Sequence, residues 1–290
     1  VDALESAQRS CCTRSQIVSK PGGLVVEFFI AAFQWLTDPA NYATDSGSPL
    51  PIQDRVSEHL WYTFISVLIA TLMALPLGLY IGHTGRGRQF VIGFTGAMRA
   101  LPTLGLLMAL FLIVGATVPF TQAAFVASMI ALVILAIPSI LAGGYAGVES
   151  VDPQTVDSGR AMGMTEMQIL LRIEIPLSLP LIIAGIRAAT VQVIATAVIA
   201  SYISLGGLGT IIASGIGLND NERILGGAIL VTAVALGVDG FLAILQRLVT
   251  RRGSSQAKPT TRNGRRRTPV PSALAEPAVK ERKIHVHSKI

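Results

Sequence analysis

The chain has 290 residues, 51% of them hydrophobic and only 14% charged, at a mean hydropathy of +0.59. A soluble domain of this size carries about 25% charged residues, so the composition excludes a soluble globular protein and points to a polytopic helical membrane protein. The net charge of +6 is local: residues 251–290 hold eleven Lys and Arg against two acids, whereas residues 1–250 hold twelve against fifteen. No folded basic face for nucleic acid is visible. Cys11 and Cys12 stand alone, which supports neither a disulfide framework nor a metal site.

No Asp, Glu, Lys or Arg occurs in residues 59–85, 100–148 or 188–219, and a helix crosses the hydrocarbon core with about 20 apolar residues. In chain order, the first twenty residues lack the basic, apolar and small-residue sequence of a cleaved leader, and none is expected. The stretch "LVVEFFIAAFQWL" (24–36) contains Glu27 and is short for a span. It reads first as an interfacial helix and second as a short crossing, which would make six spans rather than five. The first clear span is 60–82, with Trp61, Tyr62 and Tyr80 as interfacial aromatics. After the turn "HTGRGRQ" (83–89) comes a span over 90–114, interrupted by Arg99 and Pro102. Spans follow at 123–145, 179–204 and 224–246.

Arg86 and Arg88 place the 83–89 loop on the cytoplasmic side by the positive-inside rule. Counting spans then puts 149–178 and the C-terminus inside, and 38–58 and the Gly-rich connection 205–223 outside. The expected divisions are an extracytoplasmic or interfacial segment (1–58), a membrane domain (59–250) and a tail (251–290). The tail is rich in Pro, Ser, Thr and charge and has no periodicity, so it reads as a disordered cytoplasmic extension. Its basic residues suit anionic headgroups.

Between two long apolar runs lies one charged island, with seven Asp, Glu and Arg from Glu149 to Glu174. Asp152-Pro153 is a helix start, with Asp157, Ser158 and Arg160 among the polar positions. Gly163 can take a positive φ and turn the chain. Thr165 and Gln168 have capping-box spacing, opening a second helix with Ile169, Leu170 and Ile173 on an apolar stripe. Pro176 and Pro180 each remove a backbone donor, so this helix is expected to stop and a new one to start. Two short amphipathic helices bent at a glycine form either a surface connector or a knob that docks in a groove of a soluble partner.

The island "VDSGRAMGMTEMQILLRIEIPLSLP" resembles the cytoplasmic Glu-Ala-Ala loop of binding-protein-dependent ABC importer permeases. Gly163 matches its characteristic glycine, while Asp157-Ser158-Gly159 stand in place of Glu-Ala-Ala. "EHL", "MRALPTLGLL", "YAGV", "IPLSLPLIIAGIRAATV" and "GGLG" follow the order seen in permeases of the glycine betaine/carnitine/choline type, over about residues 35–250. The resemblance implies an all-α, type I importer permease fold with five core helices, possibly six, and a coupling-helix loop. It further implies a prokaryotic cytoplasmic membrane location and an import pathway for a compatible solute. The implied partners are an ABC ATPase subunit that binds ATP and Mg, a second permease chain (identical or paralogous), an extracytoplasmic solute-binding protein and the lipid bilayer. Asp157, Ser158, Gly159, Arg160, Gly163, Thr165, Ile173 and Pro176 become candidates for coupling to the ATPase.

No phosphate-binding Gly-x-x-x-x-Gly-Lys-Ser/Thr loop occurs, and Lys20 is the only lysine in residues 1–250. The chain is therefore not expected to be an ATPase, and no catalytic, metal or cofactor residues are expected. Gly206, Gly207 and Gly209 read as a tight turn or as a gate; Arg99 and Pro102 read as a snorkelling cation and a kink, or as pathway residues. Asp239 reads as a solvated or locally paired carboxylate near Arg247, and His59 as an interfacial side chain. Alternative functions are a permease for another small polar solute such as an amino acid, and an ion-coupled carrier. A carrier usually shows internal repeats and midplane charge, and no repeat is seen.

Overall fold

A computed structural model describes residues 23–42, 51–203 and 205–253. All regular structure among them is helical. The elements are α1 (Gly23–Thr37), α2 (Ile52–Thr84), α3 (Arg88–Ala100), α4 (Thr103–Gly115), α5 (Phe120–Glu149), α6 (Pro153–Ala161), α7 (Glu166–Ile169), α8 (Ile175–Ala200), α9 (Gly209–Leu218) and α10 (Asn221–Gly253). Four helical segments are long and apolar enough to cross a membrane, or five if α3 and α4 count together. The basic tail lies outside the described residues.

The central helix is α5, most of whose span is buried among its neighbours, while none of the α10 span is. Small residues let the backbones approach. A Cβ on Gly143 of α5 would come within 2.7 Å of Gly185 Cα of α8, and one on Gly78 of α2 within 2.8 Å of the Leu141 carbonyl oxygen. Lipid tails offer helices no hydrophobic reason to associate, so close backbone packing at small residues carries the bundle. Ala70, Ala74, Ala136, Ala189 and Ala197, interleaved with Leu132 and Ile140, fill the seams. A polar link reinforces the α5–α8 crossing: Ser139 Oγ lies 3.1 Å from Gln192 Oε1, and Gln192 Nε2 donates to the Leu135 carbonyl at 3.2 Å.

Three sequence expectations are corrected. The 90–114 span is two helices bent by 87° at Leu101-Pro102, much more than a kink. The residue before a proline is pushed out of the α region, and Leu101 sits at φ −68°, ψ 130°. The bent pair still follows α5 from end to end: Arg88 pairs with Glu149 at one end, and Phe111 meets Phe120 edge-on at the other. The 205–223 connection contains a helix, α9, whose Ile211 and Gly215 are buried. Finally, the chain does not break at Pro176. α7 runs through a π-helical turn (Leu170–Glu174) straight into α8, and the Ile175 N–H bonds to the Leu170 carbonyl five residues back. The wider turn seats Pro176 in the first turn of α8, where its missing N–H costs nothing.

Candidate functional site

The island folds from local signals. The Asp152 carboxylate accepts from the Gln154 N–H at 2.9 Å and Pro153 opens α6. Gly163 turns the chain at φ +82°. Thr165 and Gln168 form the full capping box, at 3.4 and 3.0 Å. Gly159 is the departure from Glu-Ala-Ala with a visible reason: a Cβ there would lie 2.8 Å from Ile173 Cδ1. The two arms close over a small core of Val151, Val156 and Ile169, with Met164 packed against it. Charge joins them too. Arg160 Nε and Nη2 donate to the two Glu166 oxygens at 2.9 and 3.1 Å, and Nη1 donates to Asp157 at 3.1 Å. Glu166 first, and Asp157 after it, hold the Arg160 guanidinium above its already high pKa. Asp157, Gly159, Arg160, Gly163, Thr165 and Ile173 thus belong to one rigid hairpin. Ser158 bonds back within its own helix, donating to the Gln154 carbonyl, and Pro176 lies beyond the hairpin at the start of α8. The outward face is apolar, with Met162, Met167 and Leu171 all more than half exposed.

This hairpin is also tied to α2. His83, in the last turn of α2, reaches Glu174 Oε2 at 2.6 Å and Glu166 Oε2 at 3.3 Å. Glu174 is buried. The turn after α2, the hairpin and the start of α8 are therefore one end of the bundle.

The opposite end holds the glycine turn. Gly206 and Gly207 take φ of +93° and +72°. The Gly207 N–H donates to Glu58 Oε2 at 3.1 Å, and Thr210 Oγ1 donates to the Gly207 carbonyl at 2.7 Å. Arg55 bonds Thr210 in turn. His59 is not an interfacial side chain. It is buried, 3.1 Å from the Ile194 carbonyl of α8, with its ring against Gly207. Gly209 opens α9 where a Cβ would strike Ser201 and Val198. Arg99, exposed in the last turn of α3, and Pro102 belong to the 87° bend instead.

Asp239 is a paired, partly open carboxylate, but it is not close to an end. It sits in the middle of α10 and forms a bidentate ion pair with Arg187 of α8. Sequence reading overlooked Arg187, although an arginine well inside a span is itself a request for a carboxylate.

Small-residue crossings between apolar helices of membrane length, with a capped hairpin at one end, define a helical membrane-protein bundle. The chain belongs to the family described as binding-protein-dependent transport system inner membrane component, whose model matches residues 74–252. It is 36% identical over 199 residues, covering 69% of this chain and 88% of the other, to the glycine betaine/carnitine/choline transport system permease protein of Bacillus subtilis (strain 168). It is 37% identical over 201 residues (69% and 89%) to a carnitine transport permease protein of Listeria monocytogenes.

Two solved structures share the fold. One is an inward-facing form of the MetNI methionine ABC transporter (TM-score 0.60, 20% identity, 69% of this chain and 96% of that one). The other is a bacterial alginate ABC transporter in complex with an alginate-bound periplasmic protein (TM-score 0.60, 16% identity, 86% and 95%). The fold is thus that of type I ABC importer permeases, and the chain is the membrane subunit of such an importer, not an ion-coupled carrier. ATP is hydrolysed by a separate subunit, and the family's systems are binding-protein-dependent.

Proposed function

We propose that this permease imports a compatible solute of the quaternary-amine class, such as glycine betaine, carnitine or choline. The observation that carries this reading is identity of 34 to 37% over about 69% of the chain with permeases named for those solutes. The hairpin of α6 and α7 is the docking knob for the ATPase. Its apolar tip supplies the contact, and its caps and Arg160 network supply the stiffness a pushing element needs. Two permease chains pair, identical or paralogous, in a prokaryotic cytoplasmic membrane. The hairpin and the C-terminus lie inside, and the Gly206-Gly207 turn lies outside, where the solute-binding protein approaches.

Purification of the tagged importer from solubilised membranes tests the docking. The ATPase should accompany the unaltered chain and be lost, by tenfold or more, with Met162→Asp/Met167→Asp, whose side chains leave the fold of the hairpin untouched. Equal recovery with both would make the hairpin a mere connector. Uptake of radiolabelled quaternary amines, compared with cells lacking this chain, tests the solute.

A further inference from the structure

Among the described residues, Arg187 and Asp239 are charged side chains that stand well inside their spans. They lie ~18 Å from the start of α8 at Ile175 and ~27 Å from the start of α10 at Asn221, at 1.5 Å per residue. Their ion pair is not sealed, since 34% of the Arg187 side chain and 28% of Asp239 stay open. Ionisable side chains inside membrane spans face the bundle interior or a water-filled cavity, so a partly open ion pair at this depth belongs on such a face. Asp239 is also the one charged group lining a groove of about 370 Å³ between α8 and α10, whose walls include Val191, Ala195, Thr232, Ala235 and Leu236. Ile194 and Val231 complete these mostly apolar walls, so Asp239 is the charge that a compact solute in the groove would meet.

We propose that Arg187 and Asp239 form a station for a zwitterionic solute inside the membrane, Asp239 receiving the ammonium head and Arg187 the carboxylate. The inference rests on the solute class given under Proposed function. Its chemistry is an exchange of partners. Inside a span, removing one member of an ion pair leaves the other charge without its counter-ion, which is unfavourable. A zwitterion replaces both halves of the internal pair at once, so neither Arg187 nor Asp239 is left bare. A solute with only a cation releases Arg187 without a partner and meets a higher barrier. The station therefore favours amine solutes that carry a carboxylate over those that do not, whatever the binding protein delivers.

The test is uptake of radiolabelled glycine betaine, a zwitterion, and choline, a cation, in cells carrying the native importer with the permease replaced by variants. In Arg187→Gln, no charge is stranded when choline binds Asp239. The betaine-to-choline uptake ratio should fall at least fivefold relative to the unaltered chain. An unchanged ratio, or equal loss of both solutes with normal membrane levels and normal ATPase recovery, overturns the station. Should Arg187→Gln not accumulate in the membrane, Arg187→Met/Asp239→Leu decides, because an apolar pair leaves no charge bare and holds the helices by packing. Uptake of glycine betaine by that variant should drop at least tenfold with assembly intact, and uptake at the unaltered rate overturns the proposal. If the unaltered importer takes up neither solute, the solute class itself is wrong and the station falls with it.

Discussion

Gly163 carries the turn of the hairpin by backbone conformation alone. Its φ of +82° is costly for any residue with a Cβ, yet nothing lies within 4 Å of where that Cβ would be. Strain and crowding are thus separated at this position. Gly163→Val should cost the hairpin about 1–2 kcal/mol of conformational energy. The expected result is normal membrane insertion with at least a fivefold loss of co-purifying ATPase; full recovery of the ATPase would show that the turn does not set the docking geometry. Gly159 is the opposite case, an ordinary helical position filled to contact by Ile173. Replacing Gly159 with Ala restores a residue typical of the Glu-Ala-Ala pattern, but here it forces Ile173 aside.

At the scale of elements, the seams and the tie to α2 matter most. The α5–α8 crossing leaves no volume at Gly143 and Gly185, so Gly185→Leu must push the two backbones apart. Over-packing costs about 1–3 kcal/mol, and the thermal midpoint in detergent should fall by several degrees; an unchanged midpoint would show that the crossing has slack. His83 connects a 33-residue helix to the hairpin through Glu174 and Glu166. The same helix holds the glycine turn at its other end through Glu58 and His59. His83→Ala should leave ATP hydrolysis by the assembled importer within about twofold while lowering solute transported per ATP severalfold. His83→Gln, which can still donate to Glu174, should restore part of it. Parallel loss of hydrolysis and transport would mean that His83 serves stability alone.

For the whole molecule, the ends of the bundle make a prediction about sidedness. The turn at Gly85–Gly87 and the hairpin share one end, while Glu58, Gly207 and the start of α10 share the other. In a chain with Cys11 and Cys12 replaced by serine, cysteines at Arg86 and Thr155 should resist a membrane-impermeant maleimide added to intact cells. A cysteine at Leu218 should react. Labelling of Arg86 and Leu218 positions from the same side would break the fold as described. The hairpin itself was legible in the residues: Asp152-Pro153, Gly163 and the Thr165–Gln168 box each act across three residues or fewer. The ties that hold it and the glycine turn, and the ion pair between α8 and α10, were not, because His83–Glu174, Glu58–Gly207 and Arg187–Asp239 join residues 91, 149 and 52 positions apart.

The amino-acid sequence by itself determined the membrane class, the apolar spans, the charged hairpin and the family resemblance. These follow from composition, hydropathy and short-range capping, which need no knowledge of neighbours. Only the tertiary structure decided that Pro176 continues a helix through a π turn and that Pro102 turns the chain by 87°. It alone buried His59 and found Asp239 its partner. A proline's effect depends on whether the preceding turn can widen or must break, and a charge's meaning in a membrane depends on what stands opposite it. Both are set by the packing of helices remote in the chain.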